Sequence, residues 1–137
     1  MADRNLFHLQ PPVYIAAKNA LEECEANGLD TLVTCTMRTR AEQAQLYAQG
    51  RTASGNVVTN AKPGESYHEY GVALDLYPVV HGKINFDGLA PEWHKIADIF
   101  KKHGFEWGYE WKHFKEMPHF QMTGGHPLSY FQEGGKL

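Results

Sequence analysis

Apolar residues recur at helical spacing in three segments of the chain. Across residues 12–27 they return every three or four positions, and a glycine follows directly after that segment. Thr39 and Glu42 have the spacing of a capping box, which predicts a second helix from there to about residue 49. Residues 91–102 begin with proline and carry their large apolar side chains on one face, which predicts a third helix.

Other segments have the composition or the alternation of β-strands. Residues 31–36, TLVTCT, are rich in β-branched side chains, and residues 72–80, VALDLYPVV, form a second strand-like run. The HGKINFDG sequence that follows predicts a turn and a short further strand. Residues 119–122 predict a strand directly after Pro118, where proline is tolerated. Helices and strands together predict an α+β fold, with about three helices packed on a small, mostly antiparallel sheet.

Length and composition narrow the possible classes of protein. A chain of 137 residues fits one domain, so residues 1–137 are expected to form a single unit. The net charge of -3 and the scattered lysines and arginines disfavour a nucleic-acid partner. No segment approaches the roughly 20 apolar residues of a membrane span, and no export signal is predicted. Cys24 and Cys35 lie in apolar segments and are expected to be buried free thiols.

One charged residue interrupts the apolar pattern of VALDLY. A carboxylate such as Asp75 in an apolar strand needs a cation, several donors or a metal, because its desolvation is costly. His68 precedes it by seven residues, and strand alternation places His119 and Gln121 on one face of the later strand. If the two strands are neighbours, His68, Asp75 and His119 converge. Two imidazoles and one carboxylate with an open fourth position are typical of a catalytic zinc site.

The spacing by itself leaves a metal hydrolase about as probable as its simpler alternatives. Glu116 lies three residues before His119, which suits a general base beside the metal. However, HEYGV contains only the first two letters of the HExxH motif. A lone histidine at a loop end is more often a surface residue, and a lone aspartate in a strand often pairs with an arginine.

Three ordered motifs resemble those of a known enzyme group. The first, S-x-H-x-x-G-x-A-x-D at residues 66–75, resembles the signature of LAS-type zinc peptidases, which cut peptidoglycan peptides. This group contains D-alanyl-D-alanine carboxypeptidases and L-alanyl-D-glutamate endopeptidases. The second, WGYEWKHFKEMPHFQM at residues 107–122, resembles the endopeptidase branch. Its matching residues are Trp107, Gly108, Trp111, Lys112, Phe114, Pro118, His119, Phe120 and Gln121.

The third motif, TMRTRAEQAQLYAQG at residues 36–50, is similar to a G-Y-R-S-x-x-x-Q segment of the group, with Arg38 on its arginine and Gln43 nearby. The resemblance therefore spans about residues 32–121. Departures are mild: Glu110 and Glu116 stand where the endopeptidase pattern often has aspartate, and Tyr109 replaces a glycine.

The resemblance implies roles for particular residues. One zinc ion would be held by His68, Asp75 and His119. Glu116 would occupy the position of the catalytic carboxylate. Arg38 would face the substrate and either stabilise the oxyanion or grip a substrate carboxylate, while a structural ion pair remains the alternative for it. The further candidates for substrate binding are Ser66, Gln43 and Trp111.

The resemblance also implies a biological setting. The chain is similar to phage endolysins that cleave the L-alanyl-D-glutamate bond of the stem peptide and lyse the host. Such a protein would be a monomer without a separate cell-wall-binding domain, made in the host cytoplasm. It would reach the wall after a holin-type protein permeabilises the membrane. The alternatives are a D-alanyl-D-alanine carboxypeptidase of the same fold or a non-catalytic zinc-binding module like the hedgehog domain, which an intact Glu116 and Arg38 disfavour.

Overall fold

The computed structural model describes residues 2–112 and 115–137 of the chain. Four α-helices lie in these ranges: α1 (Pro11–Ala26), α2 (Arg40–Ala48), α3 (Pro91–Lys102) and α4 (Leu128–Gln132). The strands are β1 (Asp30–Cys35), β2 (Ala73–Val80), β3 (Lys83–Ile84), β4 (Glu106–Trp107) and β5 (His119–Gln121). Short 3-10 helices are formed by Leu6–His8, Tyr67–Tyr70 and Gly108–Glu110. Among the described residues no helix is long and apolar enough to cross a membrane.

The sheet is antiparallel throughout, in the order β1-β2-β5-β4, and β3 pairs with one end of β2. Its register aligns Cys35 with Asp75, and Asp75 in turn with His119. Asp75 thus lies on a central strand with a neighbour on each side. This register decides which side chains meet, because residues opposite each other on adjacent strands have their Cβ atoms about 5 Å apart.

The apolar core lies between the sheet and the two long helices. On the sheet side, Leu74, Leu76 and Phe120 are fully buried. The helices contribute Val13, Ala17, Ala20 and Cys24 from α1, and Trp93, Ile96, Ala97 and Phe100 from α3. Because strand side chains alternate between faces, Asp75 and His119 lie on the opposite face from this core. The helices therefore cover one face and leave the other for chemistry.

The predicted fold class is confirmed: helices pack on a small antiparallel sheet. The three long helices and the strands of residues 31–36, 72–80 and 119–122 occur within one or two residues of the predicted bounds. Thr39 caps α2 with the complete capping box, and both cysteines are free and buried. The sequence pattern missed β4 and α4, which are too short to show a period. His113 and Phe114, the latter a matched motif letter, lie outside the described residues.

Candidate metal centre

His68 is carried by the 3-10 helix Tyr67–Tyr70, which directly precedes β2. The hydroxyl of Ser66 caps this helix by accepting from the backbone N–H of His68, and the carboxylate of Glu69 completes a capping box. Gly71 ends it with φ of 71°, in the left-handed region that glycine adopts without strain. The chain then turns directly into β2. Gly71 therefore lets the backbone turn sharply between His68 and the strand of Asp75.

Three potential metal donors converge above the sheet. Nε2 of His68 lies 3.1 Å from Oδ1 of Asp75 and 3.2 Å from Nδ1 of His119. The third side of this triangle, from Nδ1 of His119 to Oδ1 of Asp75, is 3.4 Å. The β2–β5 register supplies the aspartate and the second histidine, while the 3-10 helix supplies the first. The three residues predicted as ligands are therefore brought together.

The outer nitrogen of each imidazole is occupied by a hydrogen bond. Nδ1 of His68 donates to the carbonyl oxygen of Thr36 at 2.8 Å, and Nε2 of His119 donates to Oε1 of Gln121 at 2.9 Å. With protons on these outer nitrogens, each ring turns its other nitrogen toward Asp75. Such partners orient metal-binding histidines and select their tautomer. Neither Thr36 nor Gln121 was predicted to have this role, although alternation had placed Gln121 beside His119.

The electrostatics of the cluster favour a positive charge at its centre. Burial opposes ionisation of Asp75, yet the charges and hydrogen bonds of His68 and His119 hold the pKa of its carboxyl well below the usual range. Burial also lowers the pKa of His68, but the charge of Asp75 and its hydrogen bond outweigh burial and raise that pKa to about 10. The cluster therefore binds a proton tightly, and a metal cation would take the proton's place.

The donor geometry fits a tetrahedral metal ion. Two ligands bound to zinc at 2.0–2.1 Å in a tetrahedron are about 3.3 Å apart, and the three donor separations are 3.1, 3.2 and 3.4 Å. Cys35, His68 and Asp75 form another group whose potential ligand atoms lie within 4.8 Å of one another. However, Sγ of Cys35 lies 3.8 Å from Nδ1 of His68, the nitrogen that already donates to Thr36. We therefore assign Nε2 of His68, which faces Asp75 and His119, as the nitrogen available to a metal.

Arg38 lies beside the cluster and is largely buried. Its Nη1 donates to Oε1 of Gln43 at 2.9 Å and approaches Oγ of Ser66 at 3.5 Å. Its Nη2 lies 3.5 Å from Sγ of Cys35 and 3.8 Å from Oδ2 of Asp75. The guanidinium thus complements the negative charge of Asp75 and also lines the cleft. The pairing of β1 with β2 places Cys35 opposite Asp75, which accounts for its position beside the cluster.

Gln43 and Ser66 were both predicted to contact substrate, but Gln43 is buried behind Arg38 whereas Ser66 lines the cleft. Gln43 has 0% exposure, and its Nε2 donates to the carbonyl oxygen of Ala61 at 2.7 Å while its Oε1 binds Arg38. Gln43 therefore supports Arg38 from behind, and its direct contact with substrate stays a prediction. Ser66 lines the cleft, and its direct contact with substrate stays a prediction.

A cleft of about 600 Å³ opens over the three donors. One wall comes from residues 57–61 and includes Val57 and Val58, which are both exposed. The other wall includes Trp111 and Glu116, and the ring of Trp111 lies 5.3 Å from that of His119. Trp111 therefore borders the cleft instead of filling the core. The walls of the cleft bring Glu116 to the same cavity as the three potential metal donors.

Gly108 lets the segment that carries Glu116 approach the sheet. The backbone N–H of Glu116 donates to the carbonyl oxygen of Gly108 at 3.2 Å. A Cβ at position 108 would lie 2.6 Å from the carbonyl oxygen of Glu116 and 3.2 Å from Cβ of His119. Only glycine permits this approach, which explains why the second motif has glycine at position 108.

Comparison with known proteins identifies the family. The chain is 42% identical over 120 residues to the peptidoglycan L-alanyl-D-glutamate endopeptidase CwlK of Bacillus subtilis, covering 81% of this chain and 72% of the relative. A family profile described as D-alanyl-D-alanine carboxypeptidase, of peptidase family M15, matches residues 59–122. The chain belongs to the LAS-type peptidases of family M15. It is therefore a metallopeptidase, as the three motifs predicted.

Other LAS-type peptidases and their structures agree in sequence or fold. The L-alanyl-D-glutamate peptidase of Listeria phage A118 is 30% identical over 109 residues, which cover 79% of this chain but 36% of the phage protein. The L-Ala D-Glu endopeptidase ChiX of Serratia marcescens shares the fold over 90% of this chain and 89% of its own, with TM-score 0.66 and 23% identity. The D,D-pentapeptidase VanY, solved in complex with Zn(II), matches 91% of this chain and 78% of its own with TM-score 0.64 and 15% identity.

Proposed function

We propose that this LAS-type peptidase is a zinc-dependent endopeptidase that cleaves the L-alanyl-D-glutamate bond of the peptidoglycan stem peptide. The observation that carries the proposal is the triangle of donor atoms from His68, Asp75 and His119, which opens to the cleft bordered by Glu116. The choice of bond is supported by the CwlK and phage relatives, whose names give this bond.

A single zinc ion would be held by His68, Asp75 and His119, with the cleft side left for water and substrate. When bound, the ion would polarise the scissile carbonyl and make water a nucleophile at neutral pH. Thr36 and Gln121 keep the two imidazoles in the tautomers that suit this task. Asp75 supplies the negative charge that offsets part of the cation's charge.

Glu116 would act as general base and then as general acid. Its carboxylate would take a proton from the attacking water and deliver it to the nitrogen of the leaving D-glutamate. The reaction is a hydrolysis. Water adds across the amide C–N bond, which breaks to leave a carboxyl group on L-alanine and an amino group on D-glutamate. The proximity of Gly108 to the backbone of Glu116 would keep the carboxylate in place during both transfers.

Arg38 would stabilise negative charge in the cleft. Gln43 holds the guanidinium at 2.9 Å from behind, which leaves its remaining donors near the cleft surface. These donors could bind the developing oxyanion or a carboxylate of the muropeptide. The 3.8 Å separation from Asp75 is longer than a hydrogen bond, so an ion pair alone does not use up the guanidinium.

The proposed biological role is that of a phage endolysin. The Listeria phage relative supports it, because that protein is a phage L-alanyl-D-glutamate peptidase. We propose that the protein acts as a monomer and as a single peptidase domain. It would be made in the host cytoplasm and reach the wall after a holin-type protein permeabilises the membrane.

The decisive experiment is mass spectrometry of purified Gram-negative muropeptides after incubation with the protein. We expect new ends at L-alanine and D-glutamate, lost with a chelator and with Glu116→Gln. The Glu133→Ala variant serves as control, because Glu133 is exposed and does not line the cleft. Release of D-alanine alone would instead favour a D-alanyl-D-alanine carboxypeptidase, the function in the description of the matching family profile. Zinc binding without cleavage would favour a non-catalytic module.

A further inference from the structure

The 3-10 helix that carries His68 is too short to hold its own position. It has four residues, and a single turn of this kind is marginal without tertiary support. Ser66, Glu69 and Gly71 satisfy its local hydrogen bonds, but they belong to the same segment and move with it. The orientation of His68 therefore depends on contacts from elsewhere in the chain.

Gln10 supplies one set of these contacts. Its backbone N–H donates to the carbonyl oxygen of Gly71 at 2.9 Å, and its Nε2 donates to the carbonyl oxygen of Tyr70 at 2.8 Å. Its Oε1 accepts from the backbone N–H of Leu137 at 2.8 Å. The side chain is only 8% exposed. Gln10 thus joins the end of the 3-10 helix to a segment 127 residues further along the chain.

Helix α4 supplies the second set. The buried ring of Phe131 contacts the rings of Tyr67 and Tyr70 at centroid distances of 6.0 and 6.4 Å. Nε2 of Gln132 donates to the carbonyl oxygen of Gly64 at 3.0 Å, an oxygen that also accepts from the hydroxyl of Tyr70. The helix therefore contacts both the turn that contains His68 and the backbone that leads into it.

We propose that Gln10, Phe131 and Gln132 are positioning residues for the metal ligand His68. None of them lines the cleft, and none contacts a donor atom of the candidate metal centre among the described residues. They act through the backbone of residues 64–71. All three lie outside the 59–122 range of the matching family profile, so the proposal adds parts of the chain which that profile does not contain. It rests on the proposed metal-binding function.

The expected effect is on metal affinity and turnover. A slight rotation of the 3-10 helix moves Nε2 of His68 out of the triangle with Asp75 and His119. Outer partners of metal ligands typically change affinity 10–100-fold, and a contact acting through backbone should reach about the lower end, roughly tenfold. Turnover should fall with it, while KM stays unchanged because the cleft walls are intact.

The test compares Gln10→Met, Phe131→Leu and Gln132→Ala with matched controls. Phe105→Leu makes the same change at a buried ring that packs on Phe100, away from the 3-10 helix. Glu133→Ala is the control for the exposed Gln132. Zinc dissociation constants come from competition with a chromophoric chelator, melting temperatures from the metal-free proteins, and kcat and KM from purified muropeptide.

We expect the three positioning variants to bind zinc about tenfold more weakly, and Phe105→Leu to lower the melting temperature without changing zinc affinity. If the positioning variants bind zinc as their controls do at comparable melting temperatures, the positioning role is overturned while the proposed function stands. If the wild-type protein binds no zinc, the proposed function and the positioning role fail together.

Discussion

At the scale of single residues, the site is defined by which nitrogen of each histidine is free. The carbonyl oxygen of Thr36 accepts a hydrogen bond from Nδ1 of His68, and Oε1 of Gln121 accepts one from Nε2 of His119. The free nitrogens face Asp75 at 3.1 and 3.4 Å, so these acceptors repel one another unless a proton or a cation lies between them. Metal affinity therefore depends on groups that never touch the metal.

The Gln121→Leu variant should weaken zinc binding about 10–100-fold, because His119 loses the partner that selects its tautomer. The side chain is nearly the same size, so the fold should persist. Chelator competition measures the affinity, and Gln45→Leu on the exposed face of α2 provides a control. An affinity equal to that of the wild type would show that the hydrogen bond to Gln121 does not orient the ring.

Glu116→Gln should separate metal binding from catalysis. The amide cannot accept the proton of the attacking water, and general-base catalysis contributes about 10²–10⁴-fold. We expect kcat to fall by that factor while the zinc dissociation constant stays within about twofold, since outer partners of ligands would cost at least tenfold. A matching loss of zinc would instead place Glu116 among the ligands.

The buried thiol of Cys24 should make stability decline in alkali. Burial, with a smaller contribution from Glu23, raises the pKa of Cys24 to about 11 from 9.0. The folded chain then keeps a proton that the unfolded chain loses, so the free energy of unfolding falls as pH rises from about 9 through about 11. Denaturant titrations at pH 8 to 11 should show a shallower decline for Cys24→Ala than for the wild type; parallel declines would contradict this assignment.

At the scale of elements, one strand pairing and one short helix build the centre. The β2–β5 register places Asp75 opposite His119, and the 3-10 helix Tyr67–Tyr70 brings His68 over them. Strand pairing is rigid because register is set by the buried face of the sheet. The 3-10 helix is held by the backbone N–H of Arg38, which donates to the carbonyl oxygen of His68 at 3.1 Å, and by the contacts of Gln10 and α4. Its position should therefore be more sensitive to distant changes than the strand pairing.

Gly108→Ala should disturb the segment that carries Glu116. Its Cβ would lie 2.6 Å from a carbonyl oxygen, so the backbone of Glu116 must move. We expect kcat to fall at least about tenfold, a modest part of the 10²–10⁴-fold contribution of a placed general base. Gly82→Ala is the control: its Cβ meets open space and its φ of 75° adds about 1–2 kcal/mol of strain. Equal turnover in both variants would argue against a positional role for Gly108.

At the scale of the whole molecule, the two faces of the sheet have different roles. Helices pack on one face and stabilise the fold, and the cleft with its reactive groups lies on the other. The core residues of α1 and α3 bury the apolar face of β2 and β5, and the same strands present Asp75 and His119 to the cleft. A metal bound there would link the sheet and the 3-10 helix. Metal binding and global stability should therefore be coupled.

Removal of metal should lower the melting temperature. A ligand at 1,000 times its dissociation constant stabilises the folded state by about 4 kcal/mol, which for a chain of this size corresponds to roughly 10 °C. Calorimetry with and without chelator measures the shift, and His119→Ala should show none. If the melting temperature of the wild-type protein is unchanged after prolonged and complete chelation, metal binding and stability are not coupled.

Local structure and the set of chemically capable residues follow from patterns along the chain. Helical spacing predicted α1, α2 and α3, and the motif at residues 66–75 predicted the family, because period, capping and motif letters are properties of adjacent residues. The β2–β5 pairing was conditional at that stage, since alternation tells which face a residue takes and not which strand lies beside it.

The way in which those residues support one another depends on long-range packing. Cys35 lies beside Asp75, and α4 packs on the helix of His68, at separations in sequence that no local pattern encodes. Short elements such as α4 exist because Phe131 is buried against distant rings, not because of their own propensity. Local patterns therefore determined which groups could react, and long-range packing decided where each of them stands.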